Sequence, residues 1–256
     1  MDKERKIEIC CGDVESVIAA CKGGADRIEL CSALSEGGIT PSIGLIKRAV
    51  SICRSHGVRT HVLIRPRSGD FVYSDDEVEV MCNDIIAARL SGADGVVIGT
   101  LNPDGSIDMK AMEKLMHAAK GVSVTFHRAF DVCADPDEAL EQIIAHGCER
   151  ILTSGCMPSA EEGIDNLKRF VDMARGRIII LAGAGITPDN AAKIAQQTGV
   201  CELHGSARAS VPSAMTFRRE DVHMGAPGED EYARKVTNAD VVSLFKKNLF
   251  TLCPKV

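Results

Sequence analysis

The sequence predicts an α/β fold, a single-domain (β/α)8 TIM barrel with a C-terminal extension. Eight short runs of β-branched and apolar residues alternate with segments whose apolar residues recur every three or four positions. Strands that alternate with helices form parallel sheets, and eight such units in 256 residues fit a closed barrel better than an open sheet. The turn after the first strand, Cys10-Cys11-Gly12-Asp13, also lacks the G-x-G-x-x-G pattern of dinucleotide-binding open sheets.

The eight predicted strands belong to eight βα units. They are Ile7–Cys10, Arg27–Cys31, Arg59–Ile64, Gly95–Leu101, Ser123–Phe126, Arg150–Thr153, Arg177–Leu181 and Val200–His204. Helices are predicted between them from apolar positions three and four apart, as at Met112, Leu115 and Met116. Glycines just before the next strand, such as Gly57 and Gly199, end several of these helices because glycine readily adopts the left-handed conformation.

The end of the chain is predicted to extend this domain rather than to form a second one. Residues 206–228 are rich in Gly, Pro, Ser and Arg and lack periodicity, so the segment is predicted to be irregular. A closing helix is predicted at about residues 238–249. Residues 1–256 are therefore expected to form one TIM-barrel domain.

Composition and charge argue against several classes of protein. The net charge of −6, with both signs interspersed and no run of basic residues, argues against nucleic acid binding. No stretch reaches the roughly 18 apolar residues that cross a membrane, and the charged start Met1-Asp2-Lys3-Glu4 lacks a signal region, so a cytoplasmic location is expected. Eleven cysteines without regular spacing indicate free thiols in a reducing compartment.

Functional side chains of a TIM barrel lie at the C-terminal ends of its strands. Because successive side chains of a strand point to opposite faces, Glu29 shares a face with Cys31, and Glu8 shares a face with Cys10. The other faces of these strands are apolar and suit contact with helices, so the polar faces are predicted to point into the barrel. The charges expected to pair there are those of Glu8, Glu29, Glu202 and Arg65.

Cys10 and Cys31 end two neighbouring strands and are candidate metal ligands. Neighbouring strands lie about 4.8 Å apart, close to twice a metal–thiolate bond of roughly 2.3 Å, so two thiolates at equal height could hold one ion. Soft thiolates favour Cu(I) over Mg, Ca or Mn. The alternative is that both are small buried hydrophobic residues. Cys133 and Cys156, in loops at the same end of the barrel, are reserve ligands.

A second hypothesis is an enzyme for a small phosphorylated or carboxylated molecule. Glu29, Arg65 and His127 come from three strands and would converge on one cavity as acid/base, anion clamp and proton shuttle. The alternative is a structural network of satisfied polar groups inside the barrel.

Two further features bear on the enzyme hypothesis. The glycine-rich ends of the last two strands could form an anion cradle from backbone N–H groups, or their glycines could simply relieve crowding. The cradle residues are Gly183, Gly185, Gly205 and Ser206. The mixed aromatic and acidic loop 69–75 is either a lid or an ordinary exposed turn.

Several segments resemble the CutC copper homeostasis family in order and spacing, nearly from end to end. They are Arg27-Ile-Glu-Leu-Cys-Ser, Glu36-Gly-Gly-Ile-Thr-Pro-Ser42, Ile64-Arg-Pro-Arg-Ser-Gly-Asp-Phe71, Val124-Thr-Phe-His-Arg-Ala-Phe-Asp131, Arg150-Ile-Leu-Thr-Ser-Gly155, Ala182-Gly-Ala-Gly-Ile186 and His204-Gly-Ser-Ala-Arg208. The resemblance implies a (β/α)8 barrel, Cu(I) as the bound ion, a cytoplasmic or partly nuclear location and a homo-oligomer.

The resemblance also bears on individual residues. Cys10 and Cys31 match the two cysteines to which copper binding is attributed in animal members of the family. Gly205 departs from the Ser or Cys expected in relatives, which argues against a thiol from the eighth strand. Three functions stay open: a Cu(I)-binding homeostasis protein, a barrel enzyme, and an interaction scaffold with a vestigial site.

Overall fold

The structure, a computed structural model, describes residues 5–219, 221–222, 230 and 232–251. Eight parallel strands close into a barrel in chain order. The barrel strands are β1 Lys6–Cys11, β2 Arg27–Leu30, β3 Arg59–Leu63, β4 Gly95–Ile98, β5 Ser123–Phe126, β6 Arg150–Thr153, β7 Ile179–Ala182 and β8 Glu202–Gly205. The helices are α1 Val14–Gly23, α2 Ile43–His56, α3 Asp75–Leu90, α4 Met109–Ala118, α5 Pro136–Ala145, α6 Ile164–Ala174, α7 Ala191–Thr198 and α8 Ala239–Thr251. The predicted TIM barrel is confirmed.

Local signals in the sequence set the ends of the helices. The Asp13 side chain accepts a hydrogen bond from the backbone N–H of Ser16 and begins α1. At the start of α3, Ser74 and Glu77 form a capping box in which each side chain binds the other's backbone N–H. Gly57 ends α2 with φ +70°, a conformation that glycine adopts without steric cost. These caps direct each chain segment back toward the next strand.

The two faces of the barrel strands differ in chemistry, as the alternation of their residues predicts. The outward side chains, such as Ile9, Leu30 and Ile64, are buried in a continuous apolar core between the barrel and the helices. The inward side chains include buried Glu8 and Glu29. The main apolar core therefore lies outside the barrel wall, and the interior holds polar groups together with a small apolar cluster of Cys31, Leu63 and Val97.

The interior charges are paired differently from the prediction. Arg27 donates hydrogen bonds to Glu8 and, at 2.5 Å, to Glu202. Arg150 adds a second contact, since its Nε lies 3.3 Å from the Glu202 carboxylate. The predicted pairing of Arg65 with these glutamates is wrong. Arg65 lies beyond the C-terminal end of β3, whereas Arg27 and Arg150 begin their strands, at the other end of the barrel.

The C-terminal extension is more regular than predicted. Within the segment 206–228, Arg208–Pro212 forms strand β9, which pairs in antiparallel fashion with β10, Ala233–Thr237. Residues 223–229 of that segment lie outside the described residues. The closing helix is present as α8, and its Phe245 ring lies so close to Gly205 that a Cβ there would approach it to 2.7 Å. The extension therefore packs against the eighth strand.

Candidate functional site

A cavity of about 280 Å³ opens at the C-terminal end of the barrel. Its apolar walls include Leu34, Leu63, Phe71 and Leu152. Its polar lining includes Cys10, Glu29, Cys31, Arg65, His127 and His204. The structure therefore brings together both predicted metal ligands and all three predicted catalytic residues. This is the end of the fold at which TIM-barrel enzymes hold their active sites.

Cys10 and Cys31 approach each other although they do not occupy paired positions on β1 and β2. In the β1–β2 ladder Cys10 is paired with Glu29, and Cys31 lies two residues further along the chain. The ligand atoms of Cys10, Glu29 and Cys31 nevertheless all lie within 4.8 Å of one another. The expectation of equal height is therefore wrong, because strands of a closed barrel are sheared relative to one another. The shear places a carboxyl group beside the two thiols.

The two thiols differ in their electrostatic surroundings. A hydrogen bond with Cys31 lowers the pKa of Cys10 well below its usual value, and contact with His204 lowers it further. The same hydrogen bond raises the pKa of Cys31, and burial adds to the shift. Cys10 is therefore the more acidic thiol of the pair and Cys31 the less acidic one, and thiolates are the form in which cysteine binds metals.

His204, to which the sequence analysis assigned no role, joins the thiols to the interior charges. Its Nδ1 atom lies 2.7 Å from the Glu8 carboxylate, and its Nε2 atom lies 3.9 Å from the carboxyl group of Glu29. Burial lowers the pKa of His204, but the Glu29 charge and hydrogen bonds with Cys10 and Glu8 outweigh burial, and the net pKa is raised well above its usual value. One feature of the sequence could have identified His204. It lies two residues after Glu202 on the same strand, so both side chains point to the same face of that strand.

Glu29 is a buried carboxyl group whose pKa is raised to about 8, mainly by burial and against the opposing charge of His204. Such a group holds its proton to a higher pH than an ordinary carboxyl group does and can act as an acid. Glu29 is a member of two candidate metal groups, one with Cys10 and Cys31 and one with Glu8 and His204. Within each group the ligand atoms all lie within 4.8 Å of one another. Glu29 therefore connects the thiol pair to the histidine.

We expect Glu29→Gln to flatten the dependence of stability on pH. Between the ordinary pKa of 4.5 and the folded value of about 8, the folded protein holds a proton that the unfolded chain has lost. The stabilisation is therefore fully present below the unfolded pKa and is lost as the pH rises through the folded pKa. Relative to the variant, the wild type should lose up to about 1.4 kcal/mol per pH unit in this interval, measured by denaturant unfolding. Equal pH slopes in the two proteins would contradict this assignment.

Arg65 holds two loops together instead of pairing with a carboxylate. Its Nη1 atom donates to the carbonyl oxygens of Glu36 and Gly38, both at 2.9 Å, and its Nη2 atom donates to that of Gly69 at 2.6 Å. The side chain is 6% exposed, and its Nε–H has no hydrogen-bond partner. Arg65 thus fixes the loops after β2 and β3 at the cavity and leaves one donor unused.

His127 is held in one tautomer. Its Nδ1 atom accepts a hydrogen bond of 3.1 Å from the backbone N–H of Ala129, so the proton of the neutral ring is on Nε2. That Nε2–H group is buried and has no partner. Burial lowers the pKa of His127 to about 3, and the charge of Arg65 acts in the same direction. At neutral pH His127 is therefore a hydrogen-bond donor, and its role as a proton shuttle stays a prediction.

The aromatic loop after β3 is fixed in place and covers part of the cavity. Arg67 binds the Val72 carbonyl oxygen at 2.7 Å and the Glu77 carboxylate at 2.6 Å. The Phe71 ring centroid lies 4.9 Å from that of His127 and 5.1 Å from the guanidinium carbon of Arg65. The loop is therefore part of the cavity wall.

The glycine-rich ends of β7 and β8 do not themselves line the cavity, although Gly183 lies next to Leu152, which does. A Cβ at Gly183 would approach the Leu152 side chain to 2.5 Å, and the Gly183 N–H already donates to the Thr153 carbonyl oxygen at 2.9 Å. Close packing accounts for glycine at position 183 and, through the Phe245 ring of α8, at position 205. The anion cradle of Gly183, Gly185, Gly205 and Ser206 stays a prediction.

The two reserve cysteines lie outside the candidate metal groups. Burial raises the pKa of Cys133 to about 11 and that of Cys156 to about 12, so both are neutral thiols at pH 7. Cys21 and Cys53 are buried between α1 and α2 with their sulfur atoms 3.7 Å apart. Within the described residues, the cysteines that join a candidate metal group of three or more ligands are Cys10 and Cys31.

Comparison with known sequences gives a consistent result. Residues 5–209 match the sequence profile of the CutC family. The family protein CutC from Bacteroides thetaiotaomicron is 53% identical over 241 residues, covering 94% of this chain and 96% of that protein. The family protein CutC from Vibrio campbellii is 47% identical over 240 residues, covering 93% of this chain and 96% of that protein.

Solved structures agree with this result. A crystal structure described as a candidate copper homeostasis protein CutC from Streptococcus agalactiae superimposes with a TM-score of 0.76 and 37% identity, over 79% of this chain and 98% of that one. Thiamine phosphate pyrophosphorylase from Pyrococcus furiosus superimposes with a TM-score of 0.60 and 17% identity, over 97% of each chain. At that identity the second likeness shows the barrel fold alone.

Proposed function

Because the chain belongs to the CutC family, we propose that it is a copper homeostasis protein that binds one Cu(I) ion through Cys10 and Cys31. The observation that carries this proposal is the approach of the two sulfur atoms, which lie within 4.8 Å of each other and of a Glu29 oxygen. The Streptococcus agalactiae relative is itself described in terms of copper homeostasis. Family membership and donor chemistry therefore support the same ion.

The separation of the sulfur atoms, below 4.8 Å, is compatible with a two-coordinate ion. Two collinear metal–thiolate bonds of roughly 2.3 Å each span about 4.6 Å. Sulfur ligands favour soft ions such as Cu(I), whereas Mg and Ca prefer sets of oxygen ligands. The raised pKa of Glu29 means that this carboxyl group holds its proton more tightly and so competes weakly as a ligand.

The charges around the thiols favour a complex with two thiolates. The pKa of Cys10 is lowered, so this thiol loses its proton first, and Cys31 would release its proton when the ion binds. Cu(I) between two thiolates has a net charge of −1, and the raised pKa of His204 keeps a positive charge near it. The neighbouring histidine thus stabilises a charge that would otherwise be costly in a buried site.

Titration with Cu(I) under reducing, anaerobic conditions, in competition with a chromogenic Cu(I) chelator, tests the proposal. The double variant Cys10→Ser/Cys31→Ser should bind Cu(I) about 100-fold more weakly or worse, since losing even an outer partner of a metal ligand costs 10- to 100-fold. Cys82→Ser is the matched control, because Cys82 is a partly exposed thiol on α3 outside the cavity. Its affinity for Cu(I) should equal that of the wild type.

Two outcomes would remove this assignment. If the double variant keeps the stoichiometry and affinity of the wild type, another group binds the ion, and Cys133 and Cys156 become the next variants to test. If Zn(II) at equal concentration displaces Cu(I) from the wild type, the site does not select Cu(I), and the second candidate group, Glu8, Glu29 and His204, becomes the next to test.

The cellular setting is part of the proposal. Among the described residues no helix is long and apolar enough to cross a membrane. We propose a cytoplasmic location, with a reduced copper ion as the main partner and a symmetric homo-oligomer as the working form, on the basis of the family resemblance. Light scattering at micromolar concentration measures the number of subunits.

A further inference from the structure

The proposed copper site involves the thiols on one side of the cavity, and the side chains on another wall of the same cavity take no part in it. That wall is built by Arg65, which follows β3, by His127, which follows β5, and by the Phe71 ring, which contacts both. Neither Arg65 nor His127 belongs to a candidate metal group within the described residues. Both line the cavity.

The charge of Arg65 is buried without a counter-charge. Its guanidinium donates three hydrogen bonds to backbone carbonyl oxygens and interacts with the Tyr73 hydroxyl, and none of these groups carries a net charge. No carboxylate of the described residues lies within ion-pair distance of it, in contrast to Arg27 and Arg150, which share Glu202. A buried cation without a partner is costly, so an anion in the cavity would be strongly favoured.

Two buried N–H groups beside this charge also have no acceptor. They are the Nε–H of Arg65 and the Nε2–H of His127, whose tautomer is set by its bond to the Ala129 N–H. Buried donors are rarely left unsatisfied, because each lost hydrogen bond to water is uncompensated. A carboxylate carries one negative charge and two acceptor oxygens, which is the complement of one guanidinium charge and two free donors.

We propose that this cavity binds a small monocarboxylate, with its oxygens at Arg65 and His127 and its apolar body against Leu34, Leu63 and Leu152. The volume of 280 Å³ is close to that of about nine water molecules in the liquid, which limits the ligand to roughly nine non-hydrogen atoms. The Phe71 ring lies against both donor groups, and the carboxylate reaches them when this ring turns aside. Binding at this wall does not require a metal ion.

The preference for a monocarboxylate over phosphate follows from the charges. The other arginine of the lining, Arg128, is paired with Asp131 at 2.6 Å, so Arg65 contributes the unpaired positive charge. His127 is a neutral donor. A phosphate dianion would bring one negative charge more than Arg65 can balance.

The test uses the metal-free, reduced protein with 15N-labelled histidine. Sodium acetate, pyruvate and benzoate are titrated separately, and sodium phosphate and sodium chloride serve as controls at equal ionic strength. At least one carboxylate should move the His127 Nε2 resonance saturably and raise the Tm. Phosphate and chloride should do neither. Absence of saturable binding by all three carboxylates, or equal binding of phosphate, would overturn the proposal.

Variants separate a ligand role from a structural one. His127→Phe keeps a flat ring against Gly99 and Phe71 but removes the Nε2–H, and should weaken carboxylate binding about tenfold or more. Arg65→Lys should do the same, because it keeps the charge but loses the Nε–H. Arg177→Lys, on the surface and paired with Glu141, is the control and should bind as the wild type does. If Arg65→Lys does not fold, His127→Phe decides alone, and its unchanged affinity would refute the proposal.

Discussion

Replacing Arg27 with methionine should lower the free energy of unfolding by about 3–5 kcal/mol. Arg27 is 4% exposed and is the direct hydrogen-bond partner of both Glu8 and Glu202. Methionine fills a similar volume but leaves these two buried carboxylates next to each other with much less positive charge. Since whole domains are stable by only about 5–15 kcal/mol, the variant should be close to unfolding at neutral pH. Denaturant unfolding followed by circular dichroism measures the loss.

The double variant Glu8→Gln/Arg27→Met distinguishes a lost ion pair from lost packing. Removing the Glu8 charge as well should recover part of the stability, because one uncompensated carboxylate is gone. Arg177→Met is the matched surface control, since Arg177 binds Glu141 in an exposed pair, and it should cost no more than about 1 kcal/mol. A loss at Arg27 no larger than that at Arg177 would show that the interior network contributes little.

A second large effect is expected for Gly163→Ala. A Cβ at Gly163 would lie 1.8 Å from the backbone oxygen of Ser154 and 3.1 Å from the Cα of Gly155. Both neighbours are backbone, so no side chain can move aside, and the loop after β6 must shift as a whole. We expect a loss of about 3 kcal/mol, the upper end of the range for overpacking. Thermal unfolding provides the measurement.

Gly44→Ala is the matched control for this prediction. Gly44 lies at the start of α2, where the nearest atom to an added Cβ is the Ser42 hydroxyl at 3.9 Å. Alanine there should leave stability unchanged or raise it by up to about 1 kcal/mol, because it restricts the unfolded chain. If Gly163→Ala were as stable as Gly44→Ala, the close approach of the two loop segments would be incorrect.

The barrel could be predicted because the sequence patterns that indicate its strands and helices lie within short segments of the chain. Alternation along Ile7–Cys10 separates an apolar outer face from a polar inner face, and caps such as Ser74 mark the ends of helices. Strand β9 was missed for the opposite reason, since its partner β10 begins about twenty residues later with no short turn between them. Pairing over such a distance is a tertiary property.

The sequence predicts which residues form the site but not which of them contact one another. The alternation of side chains along β2 correctly predicts that Glu29 and Cys31 share a face. The pairing of Cys10 with Glu29 depends on the shear between strands, and that shear depends on closure of the whole barrel. Arg27 was overlooked because charged residues at the start of a strand are usually solvated. Here the barrel end covers it with Glu8 and Glu202.

The hydrogen bonds of Arg65 to Gly38 and Gly69 make two loops, from two different strands, open as one unit. Neither loop can leave the cavity unless the guanidinium gives up a buried bond, so the two loops should move together in one local unfolding event. Amide hydrogens of the two loops should therefore exchange with a common rate.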